Sequence, residues 1–258
     1  MKMTSRIQFT HELETLDKEV EEMAELAQLA IEKAVRLIVT GDMTLKEDVR
    51  KMDREIYRYD NLIEKHCLDI IALHTPVAGD LRNISTCLKI IEDLNRIGRY
   101  AWDMAEVAEV FDGQRFKRMV NIPHMADLVV EMVSDAIQCF VKRDAVEARK
   151  LFERDDEVDA LYDTIFRETL THLFEDPSRI TVGIHYILVA RYLERVADHA
   201  CNIGERVVYM VTGERWDPAL RKRKDPNGSE DADEPHEAPV LPEEIAHSGY
   251  HQHELSEK

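Results

Sequence analysis

Apolar residues in this 258-residue chain recur at alternating spacings of three and four. From Leu13 they run Leu13, Leu16, Val20, Met23, Ala27, Ala30, Ala34 and Leu37, one face of a long amphipathic helix packed in bundle fashion. That helix stops near Thr40-Gly41, where glycine suits a C-terminus, and Thr44 with Glu47 predicts a capping box for the next. The second stripe reads Val49, Met52, Ile56, Tyr59, Ile63, His66, Ile70 and Leu73. His66, alone on a core-facing stripe, reads as a hydrogen-bonded structural residue and not as a ligand. Thr75-Pro76 ends this helix and starts the third, with proline at a first-turn position. Leu81, Ile84, Leu88, Ile91, Gly98, Trp102 and Ala105 carry the third to about Phe111, and Asp112-Gly113 closes it. At about 30 residues each, these helices are about 45 Å long.

The same order then repeats. Met125, Val129, Met132, Ala136 and Cys139 mark a fourth helix, and Lys142-Arg143-Asp144 stands where Thr40-Gly41-Asp42 stood. Asp144 with Glu147 is a cap signal. Val158, Leu161 and Ile165 mark the fifth helix, and Asp176-Pro177 answers Thr75-Pro76 as the start of the sixth. Residues pair at an offset of about 100: Met23 with Met125, Asp53 with Asp156, Asp60 with Asp163, Leu94 with Leu193, Glu106 with Glu205. That period is too long for a solenoid and describes a duplicated three-helix unit whose short connections make neighbours antiparallel. The expected organisation is all-α, with two tandem three-helix bundles at residues 10–113 and 119–213. Residues 214–258, rich in Pro, Gly, Ser, His and charge, form an acidic tail of 6 basic and 12 acidic residues that is expected to be disordered.

Within the sixth helix the stretch LERVADHACNIGE, Leu193 to Glu205, carries candidate chemistry. At 100° per residue, Glu194, Asp198 and Glu205 fall within about 40° of one another, opposite the apolar set Leu193, Val196, Ala197, Ala200, Ile203, Val207 and Met210. Such a line is either a solvated face, with Arg191 and Arg195 neutralising Glu194 and Asp198, or a carboxylate site for a hard or borderline cation. On the fifth helix Asp156, Asp159 and Asp163 are spaced at 0, +3 and +7 and can add oxygens from a second side. Glu131 and Asp135 on the fourth helix read as a solvated pair.

Net charge −18 argues against a nucleic-acid partner. No apolar run approaches 18 residues, and the N-terminus lacks a signal-peptide core. Cys67, Cys87, Cys139 and Cys201 form no CxxC pair and read as small hydrophobes in a reducing compartment.

The segment HTPVAGDLRNISTCLKIIEDL from His74 to Leu94, together with LERVADHACNIGE, resembles the PhoU family of phosphate-signalling regulators over about residues 10 to 213. The resemblance implies two tandem three-helix bundles and a cytoplasmic, non-enzymatic, homodimeric regulator. It also implies partners, a phosphate ABC transporter ATPase and a sensor histidine kinase, so that any membrane association runs through them. Multinuclear metal, iron or another divalent cation, is expected on acidic-x-x-x-Asp pairs. Glu194 and Asp198 match that pair, with Asp159 and Asp163 as helpers. In the first unit the matching positions are Asn95 and Arg99, and a guanidinium repels a cation. Arg99 is expected to pair with Asp103, four residues on. Two other classes compete. A di-iron carboxylate enzyme wants Glu-x-x-His motifs, and no histidine in residues 1–213 has Glu three positions before it. A metal-free structural dimerising bundle is the third reading.

Overall fold

A computed structural model describes residues 2–111 and 121–216, with the side chains of 7–111 and 121–216. The tail call from residue 217 on, and the junction between the two expected bundles, lie outside the described residues. The described chain is all-helical: α1 Lys2–Thr40, α2 Thr44–His74, α3 Ala78–Val107, α4 Asn121–Lys142, α5 Ala145–Glu175 and α6 Ile180–Thr212, with short 3₁₀ turns at Ala108–Phe111 and Pro177–Arg179.

Caps explain where the helices begin and end. Gly41 and Gly213 close α1 and α6 in the left-handed region, at φ 73° and 78°. The start of α2 is capped by Asp42 and not by Thr44: the Asp42 carboxylate accepts from Thr44 N at 3.1 Å and Thr44 Oγ1 at 2.6 Å. Those bonds hold the Asp42 carboxyl below the usual carboxylate range. Asp144 does the same for α5, accepting from Val146 N and Glu147 N at 3.0 Å each, and Asp176 accepts from Ser178 N at 3.2 Å. An aspartate two residues closer to the chain turn reaches the orphan amides that a threonine already inside the helix cannot. Pro76 likewise falls two residues before α3 and not within it.

Leu16, Met23, Ile31 and Leu37 of α1 are fully buried, as are Ile56, Ile84, Leu94, Met132, Phe140 and Val196 on the other helices. Each such side chain contributes about 1.5–3 kcal/mol, against at most about 1 kcal/mol for an exposed ion pair. Burial therefore holds the bundle. Fully buried alanines at 24, 27, 30 and 34 let α2 and α3 approach α1 closely. His66 Nδ1 donates to Glu19 Oε2 across α1–α2 at 2.8 Å, a structural histidine.

Within each half the three helices pack on one another, and the halves meet through α3 on α6 and α1 on α4. Residues 1–217 form a single compact unit. The α3–α6 contact is antiparallel: Arg82 reaches Met210 O, Asp93 pairs with His199, and Phe111 packs on Tyr186. At the offset of 99 that relates these helices, Tyr100 matches His199 and Asp93 matches Tyr192. Asp93–His199 at 2.7 Å and Tyr100–Tyr192, ring centroids 5.8 Å apart, are thus one contact repeated across a pseudo-two-fold axis in two chemistries.

Candidate functional site

The apolar stripe of α6 (Leu193, Val196, Ala197, Ala200, Ile203, Val207) is buried, which turns Glu194 and Asp198 toward the flank facing α5. On α5 the buried residues are Ala148, Leu151, Val158, Ile165 and Thr169. Asp155 stands on that same stripe, four after Leu151 and three before Val158, and is half-buried, with the exposed Asp159 one turn on. Burial and the charges of Asp159, Asp198, Asp156 and Glu194 push the Asp155 carboxyl up from 3.8 to about 6. Glu194 is raised too, first by burial and then by Asp198, against the pull of Arg191 and Arg195. Cys201, on the buried side of α6, is pushed well up by burial and by Asp155 and Asp198.

Two arginines offset this charge. Arg191 Nη1 donates to Glu194 Oε1 at 2.5 Å, and its guanidinium lies 5.9 Å from the Tyr162 ring centroid. Arg195 Nη1 donates to Asp198 Oδ2 at 3.1 Å, and its Nε lies 3.9 Å from Glu194 Oε2. Glu194 is only 12% exposed and its buried Oε2 accepts no hydrogen bond. The bland reading of these two carboxylates, as ion-paired residues, is therefore realised in part.

Of the four residues picked from sequence, Glu194, Asp198 and Asp159 share one charged neighbourhood. Asp163 does not join it: it is exposed, 3.8 Å from Arg167. Asp155 was missed, and the cause is a register error of one residue. The buried positions of α2 (Val49, Ile56, Ile63, Cys67) and α5 (Leu151, Val158, Ile165, Thr169) superpose at an offset of 102, with the buried Asp53 answering the half-buried Asp155. Asp53 therefore answers Asp155 and not Asp156, and Asp60 answers Tyr162 and not Asp163. The spacing of Leu151, Asp155 and Val158, a charge on an apolar stripe, was the available signal.

The first half resolves the same face differently. Arg99 Nη1 lies 3.2 Å from Asp53 Oδ2, across the α2–α3 contact, and not on Asp103 as expected. Asn95 Nδ2 donates to Asp60 Oδ2 at 3.2 Å. The counterparts of Asp198 and Glu194 thus neutralise or hydrogen-bond the facing aspartates. On α4, Glu131 and Asp135 stand on a solvated face, both more than half exposed, and Arg154 of α5 pairs with both.

As a metal centre the second face fits by donor chemistry. Asp155, Asp159, Glu194 and Asp198 supply enough oxygens for a hard cation. The lone Glu194 Oε2 and the raised Asp155 carboxyl are both groups a dication would relieve. The geometry is not preassembled, since among the described residues no three His, Cys, Asp or Glu side chains converge at ligand spacing. Arg195 would have to leave Asp198.

Comparison with known proteins bears on what such a face serves. The chain matches the PhoU domain twice, over residues 20–108 and 122–207. It belongs to the PhoU family. A relative from Aquifex aeolicus, named a phosphate-specific transport system accessory protein PhoU homolog, is 41% identical over 204 residues, 79% of this chain and 92% of that one. The homolog of the same name from Deinococcus radiodurans is 41% identical over 183 residues, 70% and 86% of the two chains. The crystal structure of PhoU from Pseudomonas aeruginosa superposes with a TM-score of 0.75 at 34% identity, covering 80% of this chain and all of that one. Among the described residues no helix is long and apolar enough to cross a membrane.

Proposed function

We propose that this PhoU-family chain is a cytoplasmic, non-enzymatic regulator of phosphate uptake and phosphate signalling. It acts as an adaptor toward the ATPase of a phosphate ABC transporter, toward a sensor histidine kinase, or toward both. The observation that carries this is the doubled PhoU-domain match over most of the compact unit, with relatives named for phosphate-specific transport. A divalent cation on Asp155, Asp159, Glu194 and Asp198 tunes the second half's face by releasing Arg195, while the first half's Asp53–Arg99 pair excludes one. Di-iron enzyme chemistry gains no support. His199, the histidine next to the acidic pair, is turned to Asp93 at 2.7 Å, and the four candidate ligands are all carboxylates.

The regulatory reading is tested by deleting the gene and measuring phosphate uptake in rich and starved cells. Uptake or its repression should change in at least one condition, and no change in either sinks the assignment. The cation reading is tested separately, by metal analysis of untagged protein. Glu194→Ala with Asp198→Ala should abolish stoichiometric metal, and Asn95→Ala with Arg99→Ala should leave it. Metal retained by the first double variant would show that the site lies elsewhere.

A further inference from the structure

The outer groove between α3 and α6 carries charge of the opposite sign to the rest of the chain. On α3, Arg82, Thr86, Lys89, Asp93 and Arg96 follow at spacings of four and three, a single flank beside the apolar stripe. On α6, His199, Asn202 and Arg206 do the same. Three contacts fix the register of the two flanks. Arg82 Nε donates to Met210 O at 3.4 Å, Asn202 Nδ2 donates to Asp93 Oδ1 at 3.4 Å, and His199 Nδ1 lies 2.7 Å from that same oxygen. Arg206 is four residues from Met210 and four from Asn202. It therefore comes opposite Thr86 and Lys89, which lie between Arg82 and Asp93. Arg82 and Lys89 are about 10 Å apart along α3, and packed helix axes are about 8–10 Å apart, so Arg206 stands within side-chain reach of both.

Arg206 is the anomaly. Its Nε is buried and donates to no acceptor, although acidic residues outnumber basic ones by 52 to 34. A buried donor left without an acceptor costs stability. Lys89 reaches Glu92 at 3.2 Å, but both side chains are more than half exposed and water weakens the pair. Arg82, Lys89, Arg96 and Arg206 against Glu92 and Asp93, four basic and two acidic, give a net +2 in a chain of −18. Packing does not require these cations. At the offset of 99 the other end of the same seam has Thr181, Leu188 and Val107 where this end has Arg82, Lys89 and Arg206. The C-terminal dipole of α6 accounts for Arg82 on Met210 O. Arg206 lies six residues short of that terminus, beyond the last turn where the dipole acts.

We propose that the end of this groove bounded by Arg82, Lys89 and Arg206 binds a phosphate group, carried by a free anion, a nucleotide or a lipid headgroup. Guanidinium forks match phosphate oxygens in pairs, and Lys89 adds a point charge. In such a complex Arg206 gains the acceptor that the fold does not supply. Calorimetric titration of the full chain with orthophosphate, and with ADP in the presence of a chelator, tests the first two carriers. Co-sedimentation with phosphatidylglycerol vesicles, against phosphatidylcholine vesicles, tests the third. At least one carrier should bind, for a soluble anion with a dissociation constant of roughly 1 mM or tighter, and the binding should weaken as salt rises. Arg206→Met should weaken it about tenfold or more, and Lys89→Met about threefold or more. Arg58→Met removes the same charge from an exposed pair with Glu55 on α2 and should leave it unchanged. Without ligand, Arg206→Met should melt at or above the wild-type midpoint, because its Nε has no bond to lose. Four results would each overturn the proposal: no carrier binds, Arg206→Met binds as tightly as wild type, Arg58→Met loses as much affinity as Arg206→Met, or Arg206→Met melts well below wild type.

Discussion

Asp155 is the carboxyl whose ionisation the fold resists most plainly. Its folded pKa of about 6 lies above the unfolded 3.8, so its protonation stabilises the fold fully below about pH 4. That contribution is lost as pH rises through about 6. The shift corresponds to roughly 3 kcal/mol, reduced to about 1–2 kcal/mol by solvent screening of a half-exposed group. Asp155→Asn in metal-free protein should therefore raise the thermal midpoint at pH 7 by about 2–6 °C, with the gain gone at pH 4. Thermal melts across that range check it, and a gain that persists at pH 4 would mean the charge is not the cause. Arg143 is the other informative residue. It sits at φ 58°, at the position of Gly41 in the first half, and its guanidinium reaches Asp17 Oδ2 and Asn83 Oδ1 at 2.6 Å each. A left-handed arginine is kept there by what its side chain holds. Arg143→Ala loses the bonds and keeps the strain, costing about 2–4 kcal/mol, and Arg143→Gly should cost about 1 kcal/mol less. Urea unfolding of the two variants checks the order. Glycine as destabilising as alanine would remove backbone strain from the account.

Helix packing sets different tolerances at two buried glycines. A Cβ at Gly98 would lie 2.6 Å from Ile56 Cδ1, the movable end of a side chain. At Gly204 it would lie 2.8 Å from Leu151 Cδ1 and 3.0 Å from the backbone oxygen of Ala148. Alanine is intrinsically better than glycine in a helix by about 1 kcal/mol. Gly98→Ala should thus come out near neutral as Ile56 turns aside, and Gly204→Ala should destabilise by about 1–3 kcal/mol because the α5 backbone cannot yield. Equal stability of the two, read from urea midpoints, would contradict this. The helices themselves were legible, because three-four spacing survives any tertiary arrangement. Their rotation was less so. Asp156, Asp159 and Asp163 satisfy a helical face as well as Asp155 and Asp159 do, and only contact with α6 distinguishes the two faces.

At the scale of the molecule, the α3–α6 seam makes one cooperative body of two sequence repeats. Asp93 and His199 are 14% and 13% exposed within it. His199→Ala leaves the nearly buried Asp93 carboxylate with only the long Asn202 Nδ2 bond at 3.4 Å and should cost about 1–3 kcal/mol. The loss should move a single unfolding transition as a whole, seen by calorimetry, and should not split off one half. Two separated transitions in the wild type would mean the halves fold independently. The duplication was readable from matched residues, but its pseudo-two-fold contact was not. Tyr100 and His199 share a position and no chemistry, so neither residue announces the other.

The sequence by itself determined six amphipathic helices, their order and turns, the family, and the difference between Asn95/Arg99 and Glu194/Asp198. These follow from local spacing and from residue identity. Tertiary structure alone decided that Asp53 receives Arg99 and that Asp155 and not Asp163 faces the acidic pair. Each depends on which flank of one helix meets another, and a one-residue rotation of 100° changes that without altering the apolar rhythm.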